Sequence, residues 1–315
     1  MPSSITSTGG DTPRSSPVVA GMLWACLTIA IFSGWFVVTR FSVTRELSLW
    51  DVTALRYGIG AIILAPALFR TNKPLPAAQW REGFLYAVLW GAPFVLLVAL
   101  GLKLTSAAQA ASAVPTLMPV CAGMMAWLFL KERPSRIRGL GYLAIVAGLT
   151  CMLLFGTTAS SAPSAKGVIA LLSASAMWSG YTLLFRRSRL TAIQSAALIC
   201  FWSAVIFVPL YVLFGLSRLA LASWQEIALQ AFYQGILMSG VAIFSFNRSV
   251  TILGPSAATS LVALVPVAAL LLGIPVLGEI PSVAECAAMG AVVIGVFLAA
   301  RPAKPFRAPR PHGTP

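Results

Sequence analysis

Polar positions along this chain are sparse and clustered, so its dominant pattern is a series of long apolar runs. Ten of them, each of roughly 18 to 27 residues, occupy residues 17–39, 51–69, 82–102, 106–130, 137–156, 167–185, 191–215, 226–247, 251–277 and 282–300. At about 1.5 Å per residue, each is long enough as a helix to cross a hydrocarbon core of about 30 Å. The pattern predicts an all-α polytopic membrane protein with ten transmembrane helices.

Composition agrees: 58% of the 315 residues are hydrophobic and 10% charged, with mean hydropathy +0.88, more apolar surface than a soluble domain can bury. The first run is too long for a secretory signal, ends at Arg40 without a convincing cleavage site, and is followed by more spans, so it is read as retained. Residues 1–16 and 301–315 hold too little apolar content to fold and are expected to be disordered tails. The net charge of +14 is scattered between spans and forms no basic domain, which argues against nucleic acid. Five cysteines fall in apolar spans without CxxC spacing and read as buried small apolar residues. One histidine, His312, lies in the tail, no acid falls clearly within a span, and no GxxxxGK[ST] is present. The sequence therefore offers no catalytic residues, metal site, cofactor site or ATP site, and an enzyme is not expected.

Basic residues accumulate in cytoplasmic loops. With both termini inside, the inner connections hold Arg14, Arg70, Lys73, Arg81, Lys131, Arg133, Arg136, Arg138, Arg186, Arg187, Arg189, Arg248, Arg301, Lys304, Arg307 and Arg310. The outer ones hold only Arg40, Arg45, Lys103, Lys166 and Arg218. This imbalance places both termini in the cytoplasm and supports an even number of spans.

The connection LFLKERPSRIRG, Leu128–Gly139, returns as PVLGEIPSVAEC, Pro275–Cys286, with its Glu, Pro and Ser kept and every basic residue gone. At an offset of 147, Pro119 falls on Pro266, Ala110 and Ala111 on Ala257 and Ala258, and Gly148 on Gly295. At 146, Gly21 falls on Gly167 and SGWFVVTR, Ser33–Arg40, on SGYTLLFR, Ser179–Arg186. Five spans per unit make the second copy inverted, so its equivalent loop faces outward and loses its positive charge. Two inverted five-helix repeats are a usual basis of alternating access in secondary transporters.

The Trp/Gly-containing end of the first span, LRYGIGA at Leu55–Ala61, and the pair LFLKERPSRIRGLGYLAIVAG and PVLGEIPSVAECAAMGAVVIG resemble the drug/metabolite transporter superfamily, in its ten-helix branch of two EamA-type domains. The resemblance implies EamA-type units at 17–157 and 167–300 joined by a linker at 158–166. It also implies an inner-membrane carrier whose cavity is lined by spans 1, 3, 4, 6, 8 and 9, with spans 5 and 10 peripheral.

Candidate substrate-binding residues follow from polar stripes on those spans. Gln109, Ser112 and Thr116 recur at helical spacing in span 4, and Ser256, Thr259 and Ser260 answer them in span 9. Such stripes either line a cavity or bond helices together. Pro115, Pro119 and Pro266 free backbone carbonyls that kink a helix or accept from a substrate. Trp90, Trp178, Tyr181 and Tyr233, with Trp35 and Tyr86, supply aromatic faces or interface anchors. Gln234 and Asn247 suit a substrate or an interhelical bond equally. Arg56 has a stem long enough to snorkel to the outer surface, its expected role; the alternative is a gate or anion contact.

These readings predict a secondary transporter, read as an exporter, of a small metabolite, amino acid or drug-like compound, multi-pass in a bacterial inner membrane. A non-transporting receptor or scaffold is the other reading. All eight acids lie in tails, loops or span ends, so neutral, zwitterionic or anionic substrates are expected. Gly290 and Gly295 permit close packing with a second copy as a homodimer.

Overall fold

The computed structural model describes residues 17–70, 74–105, 107–131, 133–155, 164–262, 264–278 and 280–300; within these, the side chains of Gln109, Ser256, Thr259 and Ser260 lie outside the description. Both tails, Glu132 and Glu279 lie outside it as well. Spans 1 to 5 are α1 (Pro17–Val43), α2 (Leu49–Leu64) with α3 (Pro66–Phe69), α4 (Ala77–Trp90) with α5 (Ala92–Leu104), α6 (Ala107–Leu130) and α7 (Arg136–Phe155). Spans 6 and 7 are α8 (Ala165–Phe185) and α9 (Ala192–Leu213). Span 8 joins α10 (Trp224–Gln230), a π-helical segment (Ala231–Ala242) and α11 (Ile243–Leu253). Span 9 is α12 (Pro255–Val262) with α13 (Val265–Leu277), and span 10 is α14 (Val283–Ala300). Val18–Val43, Ala77–Leu104, Ala165–Phe185, Ala192–Leu213 and Trp224–Leu253 are each long and apolar enough to cross a membrane.

Residues 251–253, expected to open span 9, instead finish span 8. Gly254 takes a left-handed φ of 82°, which ends α11, and Pro255 suits the first turn of the next helix. Several helix starts are fixed by side-chain caps. Ser48 with Asp51, Thr191 with Gln194, and Ser282 with Glu285 form reciprocal capping boxes. Ser135 caps Arg138 N at 3.4 Å, which explains why this serine survives in both copies of the repeated loop while its basic neighbours do not.

The two halves pack symmetrically. Span 6 packs on spans 3 and 4 as span 1 packs on spans 8 and 9, span 2 packs on span 8 as span 7 packs on span 3, and the pairs 2 with 7, 4 with 9 and 5 with 10 close the bundle. The symmetry extends to single bonds. Ser179 Oγ lies 3.0 Å from Met118 O and 2.7 Å from Ser175 O. Its counterpart Ser33 Oγ lies 3.2 Å from Val265 O and 2.6 Å from Ile29 O.

Spans 5 and 10 lean on each other through small residues. A β-carbon on Gly148 would lie 2.8 Å from the Val292 side chain and 2.9 Å from Ala288 O; one on Gly295 would lie 2.8 Å from both Gly141 O and Ile145 N. These contacts are interchanged by the offset of 147. Gly295 is therefore used within the chain, whereas Gly290 has nothing within 4 Å. Cys26 and Cys286, expected to be buried, are exposed on the outer helix surface, while Cys200 is buried.

One end of the bundle gathers the connections after spans 1, 3 and 7, where residues such as Arg45, Lys103 and Arg218 line a polar cavity of about 550 Å³. There the Ser223 amide and hydroxyl donate to Glu46 at 2.8 and 2.9 Å. The amide bond, then the hydroxyl, holds that exposed carboxyl below its usual range. Arg40 caps the end of α5 by donating to Leu102 O and, at 2.7 Å, to Thr105 O.

Gly141→Leu is expected to destabilise the protein by about 1–3 kcal/mol through overpacking at the α7–α14 contact, whereas Gly290→Ala is neutral or slightly stabilising. Thermal unfolding in detergent checks this, and equal effects would contradict the packing described.

Candidate functional site

Aromatic side chains converge where α1, α4, α5, α8 and α11 meet. In α1, Phe32, Trp35 and Phe36 share one helix face by their spacing. Span 3 breaks at Gly91, where a β-carbon would sit 2.2 Å from both Ala87 O and Ser203 Oγ. The interruption near mid-span leaves backbone groups for other helices: Tyr57 OH donates to Trp90 O at 3.3 Å, and Ala92 N donates to Ser203 Oγ at 3.2 Å. Trp90 then stacks on Trp178 at 5.6 Å and on Tyr181 at 4.6 Å between ring centroids. Phe246 approaches Trp90 edge-on at 5.4 Å, and Phe32 meets its repeat counterpart Trp178 edge-on at 5.5 Å.

Within this cluster Phe32, Trp35, Phe36, Arg56, Trp90, Phe94, Val114, Trp178 and Met238 enclose a void of about 10 Å³, at the lower limit for one water. All nine are buried, so the chamber is occluded. Spans 1, 3, 4, 6 and 8 line it, as the resemblance implied; span 2 joins them through Arg56, and no described side chain of span 9 lines it. A larger apolar groove of about 350 Å³, between Phe84, Val88, Trp202 and Ile206, lies on the outside of α4 and α9. It presents almost no polar group.

Arg56 does not snorkel. It lies seven residues into α2, about 10 Å from its start, and is 1% exposed. Its guanidinium sits 5.3 Å from the Trp35 ring centroid and 5.5 Å from that of Tyr57, within cation–π range. Its Nε and Nη1 have no hydrogen-bond partner, nor does Trp178 Nε1 on the same void. Asp51 is engaged elsewhere, accepting from Tyr211 OH at 2.6 Å and Arg218 N at 3.0 Å.

Trp35 is held by a chain of amides. Its Nε1 donates to Gln234 Oε1 at 2.8 Å; Gln234 Nε2 donates to Thr39 at 2.9 Å and Gln230 Oε1 at 3.0 Å; Gln230 donates to Ser42 and Val38 O, and Ser42 donates to the buried Glu226. Every link donates towards that carboxylate. The π-helical segment that carries Gln234 also places Ser239, whose hydroxyl donates to Arg56 O at 2.7 Å.

Of the residues singled out by sequence, Trp90 and Trp178 line the void. Tyr181 backs Trp90, with its hydroxyl 2.9 Å from Ser195 Oγ and Asn247 Oδ1. Tyr233 donates to Ile31 O at 2.9 Å, and Tyr86 to Glu82 at 2.5 Å. Gln234 touches the chamber only through Trp35. Thr116 donates to Ser112 O within its own helix, and Ser112 is buried. Gln109, Ser256, Thr259 and Ser260 lie outside the described side chains. Sequence reasoning passed over Phe32, Phe36, Phe94 and Met238, whose only signal is their spacing within already apolar helices.

The EamA-like transporter family model matches residues 19–154 and again 165–301. The chain belongs to the EamA-like transporter family. It is 28% identical, over 249 residues, to an uncharacterized transporter, YwfM, of Bacillus subtilis (strain 168), covering 75% of this chain and 82% of that one. A protein of known crystal structure shares its fold, with TM-score 0.65 at 21% identity, across 91% of this chain and 96% of that one. The double match to the EamA model accords with the repeat-symmetric packing, and this EamA-family protein is a multi-pass membrane transporter.

Gln234→Leu is expected to destabilise by about 1–3 kcal/mol, since it orphans Trp35 Nε1 and Gln230 in the interior, and to shift tryptophan emission. Tyr233→Phe removes one bond and costs less than about 1.5 kcal/mol. Thermal unfolding and fluorescence of both variants test this; a Gln234→Leu protein as stable as Tyr233→Phe would contradict the network.

Proposed function

We propose that this protein is a secondary transporter that exports a small metabolite, amino acid or drug-like compound across a bacterial inner membrane by alternating access. The observation that carries the reading is the occluded aromatic chamber where repeat-equivalent residues, Phe32 and Trp178, meet. Two halves with interchangeable packing supply two states of similar energy, open to opposite sides, with one shared site between them. Units at 17–157 and 167–300, joined by 158–166, are the bodies that move.

Both termini are assigned to the cytoplasm. The excess of Lys and Arg in alternate connections supports this, as does the clustering of the poorly basic connections after spans 1, 3 and 7 at one end. The chamber carries no carboxylate among its described residues. A permanently cationic substrate would therefore meet only aromatic faces there, and proton antiport through an acid of the chamber wall has no described group to use; the buried Glu226 lies away from the void, at the end of the amide string.

In a background with the five native cysteines replaced, a membrane-impermeant maleimide added from the periplasm should label Ser282→Cys and miss Ser135→Cys. The opposite pattern overturns the assigned orientation. Flux in proteoliposomes of known protein orientation, over a panel of neutral, zwitterionic and anionic compounds beside quaternary ammonium dyes, tests transport and its direction. Saturable outward movement of a non-cationic compound is expected; absence of any saturable flux contradicts the transporter reading.

A further inference from the structure

We propose that Arg56 and Trp178 form an anion-binding subsite in the occluded chamber, and that the substrate is an amphipathic monocarboxylate with an aromatic or apolar body and no ammonium group. The inference rests on the transporter reading for the idea that the occupant is carried, and on the chamber itself for its chemistry.

A guanidinium is charged at any physiological pH and offers only donors. Buried charges are normally paired, because an uncompensated one in a low-dielectric interior is strongly unfavourable. Arg56 is 1% exposed with Nε and Nη1 unbonded; the rings of Trp35 and Tyr57 and one hydrogen bond to the Tyr57 hydroxyl provide its described stabilising contacts, and none of them carries a negative charge. It is the one buried basic side chain among the described residues.

The fold does not require it. The capping boxes that open α2 and α9 align Ser48 with Thr191 and Asp51 with Gln194, an offset of 143 that places Arg56 opposite Ile199. Ile199 is fully buried, so an apolar side chain fills the equivalent position in the other half. A charge present in one half alone, at the chamber wall and with Nε and Nη1 unbonded beyond its hydrogen bond to the Tyr57 hydroxyl, is explained by an acceptor that arrives with a ligand.

Trp178 Nε1 is a second unbonded donor on the same void. Trp35 Nε1 is not available, being bonded to Gln234 at 2.8 Å. The described lining thus presents unused donors and no hydroxyl, amide or carboxylate acceptor. One cation matches one anionic charge, a carboxylate more closely than a doubly charged phosphomonoester, and an ammonium on the same ligand finds only ring faces. The stacked Trp90 and Trp178 rings, with Phe94 beside them, suit a planar or apolar body once the side chains part to admit it.

The test compares four probes of similar shape: 3-phenylpropionate, its amide, phenylalanine and 2-phenylethylamine. Binding to purified protein in nanodiscs is followed by calorimetry and by tryptophan fluorescence. The wild type is expected to bind 3-phenylpropionate at least tenfold tighter than each of the others. Arg56→Gln should reduce that preference to under threefold, and Trp178→Phe should reduce it by a smaller factor. The comparison within the wild type needs no variant, so a misfolded Arg56→Gln leaves the inference exposed to refutation. Absence of a carboxylate preference in the wild type, whether from equal binding or from none, overturns it, as does a preference that survives in folded Arg56→Gln. Flux of the same probes in proteoliposomes separates the two readings. Carboxylate bound through Arg56 but never moved refutes transport and keeps the subsite; amide or amine moved without carboxylate preference refutes the subsite and keeps transport.

Discussion

Hydrocarbon offers no hydrogen-bond partners, so every donor and acceptor that this chain carries into the bilayer has to be answered from within the bundle. That constraint accounts for the way its few interior polar residues are used. Serine hydroxyls bond back along their own helices and across to Met118 O or Val265 O, and the freed backbone at the Gly91 break is taken up by Tyr57 and Ser203. Gln234 and Gln230 form a string of amides that ends on Glu226 through Ser42. Against that background the two unbonded nitrogens of Arg56, and the indole of Trp178 beside them, stand out as donors the protein itself leaves unanswered.

Symmetry and its violation divide the labour. Contacts that recur in both halves, such as Gly148 on Ala288 and Gly295 on Gly141, hold spans 5 and 10 together, away from the chamber. At the chamber the repeat is kept in kind but not in detail: Trp35 opposite Tyr181 and Phe32 opposite Trp178 are aromatic in both halves, while Arg56 opposite Ile199 in the capping-box register is charged in one half only. In the proposed mechanism the shared frame supplies the exchangeable states, and the unshared Arg56 gives the chamber its proposed preference for an anion.

Much of this was legible in the sequence. Apolar run length places the ten spans to within about six residues, because the bilayer sets helix length directly, and the repeat offset carries the packing symmetry with it. The retained Ser135 and Ser282 were visible as letters, and the structure explains them as caps. What could not be read was direction. Helices that are apolar all round give no periodic signal of which face meets lipid, so the length of its stem points Arg56 to the surface, with a gate or anion contact as the alternative. Gln234 suits a substrate or an interhelical bond equally by sequence, and in the structure its donors and acceptor are bonded to Thr39, Gln230 and Trp35. The π-helical segment that sets its direction has no sequence signature at this resolution of pattern, and the helical spacing of Thr116 with Ser112 does not reveal that its hydroxyl closes on its own helix.

The central claim is that one chamber, walled by Trp90 and Trp178 and charged by Arg56, is where the substrate rests. An experimental structure with 3-(4-bromophenyl)propionate bound, using the anomalous signal of bromine to locate it, tests this directly. The account predicts bromine against the rings of Trp90 and Phe94 and a carboxylate oxygen within about 3.2 Å of an Arg56 nitrogen. Bromine in the outer apolar groove between Phe84, Trp202 and Ile206, with the chamber still closed, would contradict it.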